Sequence, residues 1–184
     1  NVLIGDLYGP ATLGVFNQVL AAYIFFAQLG VGGVNLSALK SIAEDPTNRP
    51  RTTSIAVGSL VLALALSSLA TLAFLLLRGP VSSWLESPGV ASGMTAAAPG
   101  LFFFGLNKVL MSVVNGLRRM RAFAAYTALR YGLILVGLCL WVMRDPERAR
   151  GDELAFVFSF AEGLLFLVLV AEVGSQLRFP VRGD

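Results

Sequence analysis

Lys108, Arg130 and Glu162 are the residues whose chemistry most needs an explanation, because each lies deep inside a long apolar stretch. A charge at the centre of a bilayer costs about 2.5–3.5 kcal/mol on insertion scales, so it usually has a partner or lines a wet cavity. Glu162 could neutralise a cation and hold helices together, or the three residues could line a cavity for a charged substrate. These two interpretations are compatible. Two cations against one anion leave a positive surplus that favours an anionic ligand such as a phosphate.

Five apolar stretches must position these residues. A membrane-spanning helix needs about 20 mostly apolar residues. The chain of 184 residues is 56% hydrophobic and 14% charged, whereas a soluble domain carries about 25% charged residues. We therefore predict an all-α, polytopic membrane protein that forms a single transmembrane domain over residues 1–184. Its five spans are predicted at Leu13–Val34, Ile55–Leu77, Pro99–Leu117, Ala122–Met143 and Leu154–Leu177.

The depths of the three charges are similar. With a rise of about 1.5 Å per residue, Lys108 lies roughly 14 Å beyond Pro99 and Glu162 roughly 12 Å beyond Leu154. Arg130 lies roughly 15 Å beyond the arginine cluster that precedes its span. We expect all three side chains near the midplane, in one shared polar cavity.

Several amides are further candidates for substrate binding. Asn17, Gln28 and Asn35 fall within about 40° of each other on a helical projection of the first span. Asn107 and Asn115 lie in the third span. Such amides either bond to a neighbouring helix or line a watery path. Asn17, Gln28 and Asn115 are therefore expected to contact substrate or neighbouring helices.

The sequence gives little support for a metal site, a disulfide framework, a catalytic triad or a nucleotide-binding loop. Histidine is absent and Cys139 is the only cysteine, which excludes a His/Cys metal site, a disulfide framework and a histidine-based triad. The glycine run at Gly30–Gly33 matches neither nucleotide-binding fingerprint. We expect no catalytic residue, no metal, no cofactor and no nucleic-acid partner, and we expect that the protein is not an enzyme.

The basic residues predict the orientation. They occur between the first and second spans, after the fifth span, and at Arg118, Arg119 and Arg121 between the third and fourth. Positively charged loops favour the cytoplasm, so Asn1–Pro10 is predicted outside and the C-terminus inside. The three arginines of the turn are expected to anchor the protein to anionic headgroups or to contact a lipid phosphate.

The connecting segments are also predicted. Asn1–Pro10 should form a loop that ends at the Gly9-Pro10 turn signal. A polar loop should follow the first span. Val81–Thr95 should form a short interfacial element. Pro99 should lie in the first turn of the third span.

Three motifs carry a family resemblance. Leu7–Gln18 (LYGPATLGVFNQ) resembles the "LGP…YG" entry to the second helix of oligosaccharide-lipid flippases. Gln28–Gly33 and Lys40–Glu44 resemble the "LGLG…R.IAE" end of that helix, and Asn115–Tyr126 resembles the "GL.R…Y" hairpin between the fourth and fifth helices. The chain thus resembles this family of the multidrug/oligosaccharidyl-lipid/polysaccharide (MOP) exporter superfamily. The O-antigen flippases and the MATE transporters also belong to this superfamily.

This resemblance implies that the chain is helices two to six, a partial N-terminal lobe, of a protein with about 12–14 helices. Such proteins flip polyprenyl-diphosphate-linked oligosaccharides across the bacterial inner membrane for lipopolysaccharide and other surface polysaccharides, by alternating access of two lobes. The implied partners are that lipid-linked substrate, membrane lipids and the remainder of the same polypeptide. Lys108 and Arg130 fit a diphosphate-binding role by depth and charge, although they match no invariant family motif. Ion coupling through Glu162 is a further hypothesis.

Three alternatives stay open. A multidrug/cation antiporter of the same superfamily should favour an acidic cavity, whereas this one is predicted to be basic. A membrane enzyme of glycan assembly should have a large hydrophilic loop or an acidic metal-binding motif, and neither occurs. In a scaffolding subunit the buried charges would only hold helices together.

Overall fold

The computed structural model describes residues 2–144 and 151–178, and this part of the chain is helical almost throughout, without strands. Five of its helices are long and apolar enough to cross a membrane, within Gly9–Val31, Arg49–Trp84, Pro88–Gly116, Met120–Trp141 and Asp152–Ser175. The prediction of an all-α polytopic membrane protein is confirmed. The elements are α1 (Val2–Val31), α2 (Val34–Glu44), α3 (Arg49–Trp84), α4 (Pro88–Gly116), α5 (Met120–Arg144), α6 (Gly151–Leu154) and α7 (Phe156–Arg178).

Helix α4 is the centre of the bundle. Most of its residues are buried, and it packs against α1, α2, α3 and α7. Helix α5 lies at the periphery and meets mainly α7, so most of its apolar side chains are exposed. Exposed apolar faces on α3 and α5 suit contact with lipid tails, which makes this arrangement stable in a bilayer rather than in water.

Small residues bring three of the helices into close contact. A Cβ added to Gly105 of α4 would lie 2.0 Å from Ser67 Oγ of α3, and one added to Gly30 of α1 would lie 3.1 Å from the Cβ of Ala70. Lipid tails are as apolar as leucine side chains, so helices in a membrane associate largely through such close packing. The glycines therefore bring α4 and α1 close to α3, which fixes the core of the bundle.

The basic segments gather at one end of the bundle. A Cβ on Gly116, the last residue of α4, would lie 2.9 Å from Ile42 of α2. Arg119, in the turn after α4, forms an ion pair with Glu172 near the end of α7. The α2–α3 connection, the α4–α5 turn and the carboxyl-terminal part of α7 are therefore neighbours. Arg182, in the predicted basic tail, lies outside the described residues.

Two connecting segments differ from the sequence-based expectation. Residues 2–8 are helical, so the predicted loop at Asn1–Pro10 is wrong over this stretch, although Gly9 (φ 82°, ψ 169°) does break the helix where a turn signal was expected. After the first span, the predicted polar loop Lys40–Arg51 is only partly a loop: its first residues belong to α2, which begins after Gly33 (φ 76°), and residues 45–48 connect α2 to α3. Helix α2 buries Ala38 and Ile42, and this apolar stripe explains why the segment is helical.

The interfacial element predicted at Val81–Thr95 is also wrong. Helix α3 continues to Trp84, and α4 begins at Pro88. Pro88 lies in the first turn of its helix, which is the place predicted for Pro99. Proline lacks an amide hydrogen and fits that first position well. Pro99 instead lies inside α4, and its ring is exposed.

The predicted polar stripe on the first span is interrupted. Gly32 and Gly33 both have positive φ, of 52° and 76°, and they separate α1 from α2. Asn35 therefore belongs to α2, and its position cannot be projected onto the helix that carries Asn17 and Gln28. Two consecutive left-handed glycines reset the helix direction, which a projection at constant rotation does not capture.

Candidate functional site

Arg130 of α5 and Glu162 of α7 form a buried ion pair. Arg130 Nε lies 3.0 Å from Glu162 Oε1, and the side chains are only 8% and 3% exposed. A second guanidinium nitrogen donates to Glu162 Oε2 at 3.2 Å. The two charges therefore compensate each other in a buried region, where either charge without a partner would be strongly destabilising.

Asn107 of α4 completes this pair. Its Nδ2 donates to Glu162 Oε2 at 2.8 Å and to the Glu162 backbone oxygen at 2.9 Å. Asn107 is fully buried, and its Oδ1 has no hydrogen-bond partner among the described residues. One amide thus fixes the carboxylate on α7 relative to α4, and an unused acceptor remains beside the pair.

Lys108, the neighbour of Asn107, reaches the same cluster through an aromatic ring. Its Nζ lies 5.4 Å from the centroid of the Phe104 ring, and Arg130 Cζ lies 4.8 Å from that centroid. Both distances are within the range of cation–π attraction. Lys108 is half-buried, and no carboxylate of the described chain lies within ion-pair distance of its ammonium group.

Aromatic side chains connect this cluster to α1. Phe104 meets the ring of Tyr23 edge-on at 6.1 Å, and Tyr23 stacks on Phe158 at 5.0 Å. The buried Tyr23 hydroxyl has no hydrogen-bond partner within the described part of the chain. Burying a polar group without a partner costs about 1–3 kcal/mol, so a water or a ligand atom at this place would stabilise the site.

The structure brings Lys108, Arg130 and Glu162 into one cluster, whereas the shared polar cavity stays a prediction. The starting point used for one predicted depth was wrong. The depth of Lys108 was counted from Pro99, whereas α4 begins at Pro88. Counted from the other end, Lys108 lies about 12 Å before Gly116 and Arg130 about 15 Å after the start of α5. The two cations are thus at a similar height above the turn that joins their helices.

The other predicted binding residues lie apart from this cluster. Asn17 is half-buried and Gln28 is exposed on α1, and neither bonds to Lys108, Arg130 or Glu162. Asn115 lies two helical turns beyond Asn107, near the end of α4, and the structure gives its buried Oδ1 no partner in residues 2–144 and 151–178. The amide that joins the cluster is thus Asn107, whereas Asn115 was the amide of this span that was predicted to bind.

Phe104 was missed by sequence reasoning, although a signal was present. It stands one helical turn before Lys108, and side chains separated by four residues meet on one helix face. An aromatic residue four positions before an intramembrane lysine is thus a candidate cation–π partner. The approach of Arg130 to the same ring depends on how α5 packs and could not be read from the sequence.

The arginine turn forms a separate basic site. Arg118, Arg119 and Arg121 are exposed around a shallow cavity of about 400 Å³ at the start of α5. Arg119 is paired with Glu172. No group of three or more potential metal ligands occurs in the described parts of the chain.

Comparison of the chain with protein families, with curated proteins and with solved structures gives no match. The geometry of the buried cluster and of the arginine turn therefore carries the functional argument.

Proposed function

We propose that this protein belongs to a transporter that flips lipid-diphosphate-linked oligosaccharides across the bacterial inner membrane for surface polysaccharide synthesis. The transported lipid would be held through its diphosphate by Lys108, with Arg130 behind it. Alternating access of two lobes, of which this chain forms part of one, would move it between leaflets. The chain would have no catalytic role.

One observation carries this proposal. Lys108 is a half-buried ammonium group within an apolar helix, without a carboxylate partner among the described residues, beside a pair that is already neutral. The cluster of Lys108, Arg130 and Glu162 thus has a formal charge of +1. An intramembrane cation of this kind usually marks a substrate or ion pathway, and its sign favours an anion. The three motifs that resemble the flippase family support the choice of a diphosphate lipid.

A second function rests on the Arg130–Glu162 pair. Its closeness and burial favour the interpretation that these two residues hold α5 against α7 and never touch substrate. The protein would then be a scaffold in which only Lys108 needs another explanation. A cation antiporter is disfavoured by the positive sign of the cluster, and a glycan-assembly enzyme by the absence of an acidic metal-binding motif from the sequence.

Flipping of a lipid-linked oligosaccharide in vesicles by the whole transporter that contains this chain tests the proposal. Lys108→Gln should lower the flipping rate at least tenfold and cost at most about 1 kcal/mol of stability. It removes one cation from the Phe104 ring and leaves no carboxylate of residues 2–144 and 151–178 without its ion-pair partner. Lys40→Gln is the matched control, since Lys40 is an exposed lysine of α2 outside the cluster. It should flip at the wild-type rate.

Arg130 is tested differently, because its removal alone would leave Glu162 buried and unpaired. The double variant Arg130→Leu/Glu162→Leu removes both charges together. Slow flipping in this stable double variant supports a role of the pair in transport. Wild-type flipping in it, together with wild-type flipping in Lys108→Gln, would refute the proposal and favour the scaffold.

A further inference from the structure

The start of α5 concentrates positive charge. Arg118 and Arg119 precede the helix, Arg121 lies in its first turn, and residues 118–122 line the cavity of about 400 Å³. The first amide groups of a helix lack partners within the helix and carry a partial positive charge. Cations at this end are therefore unfavourable for α5 by themselves, and an anion would relieve the repulsion.

The nearby carboxylate balances only one of these three positive charges. Glu172 of α7 pairs with Arg119. Arg118 and Arg121 have no ion pair to a carboxylate of residues 2–144 or 151–178. Two exposed guanidinium groups thus remain at the cavity, and guanidinium is the side-chain group that best matches the paired oxygens of a phosphate.

An apolar surface continues from this cavity down α5. Met120 is 64% exposed and Tyr131 is 66% exposed, and Ala124 and Ala128 between them are also exposed. Positions separated by three and four residues share one face of a helix. A free phosphate ion would make no use of such a surface, whereas a lipid places its headgroup and its acyl chain on adjoining polar and apolar surfaces.

We propose that Arg118 and Arg121 bind the phosphate of an anionic phospholipid, with one acyl chain along the α5 face of Met120, Ala124, Ala128 and Tyr131. This site lies on the outside of the bundle and is distinct from the cluster around Lys108. The bound lipid neutralises the positive charge at the amino-terminal end of α5. Helix α5 is the least buried of the five long helices.

Retention of lipid by the purified protein in detergent tests this site. Native mass spectrometry compares phosphatidylglycerol with phosphatidylcholine of the same acyl chains. The wild-type protein should retain phosphatidylglycerol preferentially, and Arg118→Gln/Arg121→Gln should weaken this preference about 30-fold, as expected for two basic side chains at a membrane surface. Lys40→Gln/Arg51→Gln removes two positive charges from the same end of the bundle and should keep the wild-type preference.

The single variants Arg118→Gln and Arg121→Gln should each weaken the preference about fivefold, which covers the case in which the double variant does not fold. An equal loss in the Lys40→Gln/Arg51→Gln control would overturn the site, because overall surface charge would then explain the binding. Displacement of phosphatidylglycerol by a large excess of inorganic phosphate would also contradict the lipid site. The arginines would then be a binding site for a phosphate ion from solution.

Discussion

The Gly100 amide of α4 donates a hydrogen bond to Ser159 Oγ of α7 at 2.9 Å. The same hydroxyl donates to the Ala96 carbonyl at 2.6 Å. Ala96 and Gly100 are four residues apart, so these are two groups that a regular helix pairs with each other. Ser159 thus bridges the backbone of α4 beside Pro99, which has no amide hydrogen to contribute. A side chain inserted in this way is one of the recognised causes of a local bend in a helix.

Ser159→Ala should destabilise the protein by about 1–3 kcal/mol, because it leaves the buried Gly100 amide and the partly buried Ala96 carbonyl of α4 without the hydroxyl. Thermal unfolding in detergent, followed by circular dichroism, measures the change. Ser175→Ala is the matched control, since Ser175 is an exposed serine of the same helix whose hydroxyl donates to the Glu172 carbonyl. Equal stability of the two variants would mean that the bridge contributes nothing.

Gly105→Ala should cost about 1–3 kcal/mol through overpacking, since the new methyl group would lie 2.0 Å from Ser67 Oγ. Gly132→Ala is the control, because a Cβ added to Gly132 of α5 would meet no described atom within 4 Å beyond its own stretch of helix. Alanine there should be neutral or slightly stabilising. Adding Ser67→Ala to Gly105→Ala should recover part of the loss. A fully tolerated Gly105→Ala would contradict the close approach of α3 and α4.

The number and apolar character of the long helices could be predicted from the sequence, because a run of about 20 mostly apolar residues is typical of a membrane-spanning helix. Helix ends were harder. Pro88 and Pro99 both suit a first helical turn, and hydropathy favours Pro99. The choice of Pro88 depends on the burial of Val90, Gly93 and Met94 against other helices, which is information from tertiary packing.

The cluster could be predicted in part. Charge and depth pointed to Lys108, Arg130 and Glu162, since each is costly in a bilayer without a reason. Asn107 could not be preferred over Asn115, because only the rotation of α4 against α7 decides which amide reaches Glu162. Ser159 could not be identified from the sequence, because serines are common in apolar helices. The backbone groups that its hydroxyl contacts lie on another helix.

Phe104→Leu should weaken the attraction that holds two cations beside one ring, while it keeps an apolar side chain of similar size. We expect a loss of about 1–2 kcal/mol in the free energy of unfolding, and Phe104→Trp should restore most of it. Phe102→Leu is a control, because Phe102 meets the ring of Phe103 and no cation of residues 2–144 or 151–178 lies over it. Equal losses for Phe104→Leu and Phe104→Trp would show that only packing matters there.

Asp45, between α2 and α3, is expected to show a measurable titration. The hydrogen bond from the Thr47 hydroxyl, at 3.0 Å, lowers the pKa of this exposed carboxyl, with smaller help from Asn48 and Arg51. A lowered pKa in the folded state stabilises the fold above the unfolded pKa of the carboxyl, and this stabilisation disappears as the pH falls through the lowered value.

Thr47→Ala should therefore raise the pKa of Asp45 toward its ordinary value, and NMR titration of the carboxyl carbon measures the shift. Thr53→Ala, in the first turns of α3, should leave it unchanged. An unchanged pKa in Thr47→Ala would show that the hydroxyl does not hold the carboxylate in solution.

The Arg130–Glu162 pair gives the sharpest test of the bundle. Glu162→Gln should destabilise the protein by about 3–5 kcal/mol, since it leaves the Arg130 charge buried without its partner. Arg130→Leu/Glu162→Leu should be much less harmful than the sum of the two single changes, because no charge is left stranded. A double-mutant cycle on the free energy of unfolding should give a coupling of several kcal/mol. Additive effects would mean that water already screens both groups, and α5 would then be held to α7 by apolar packing, such as the contact of Gly137 with Val157.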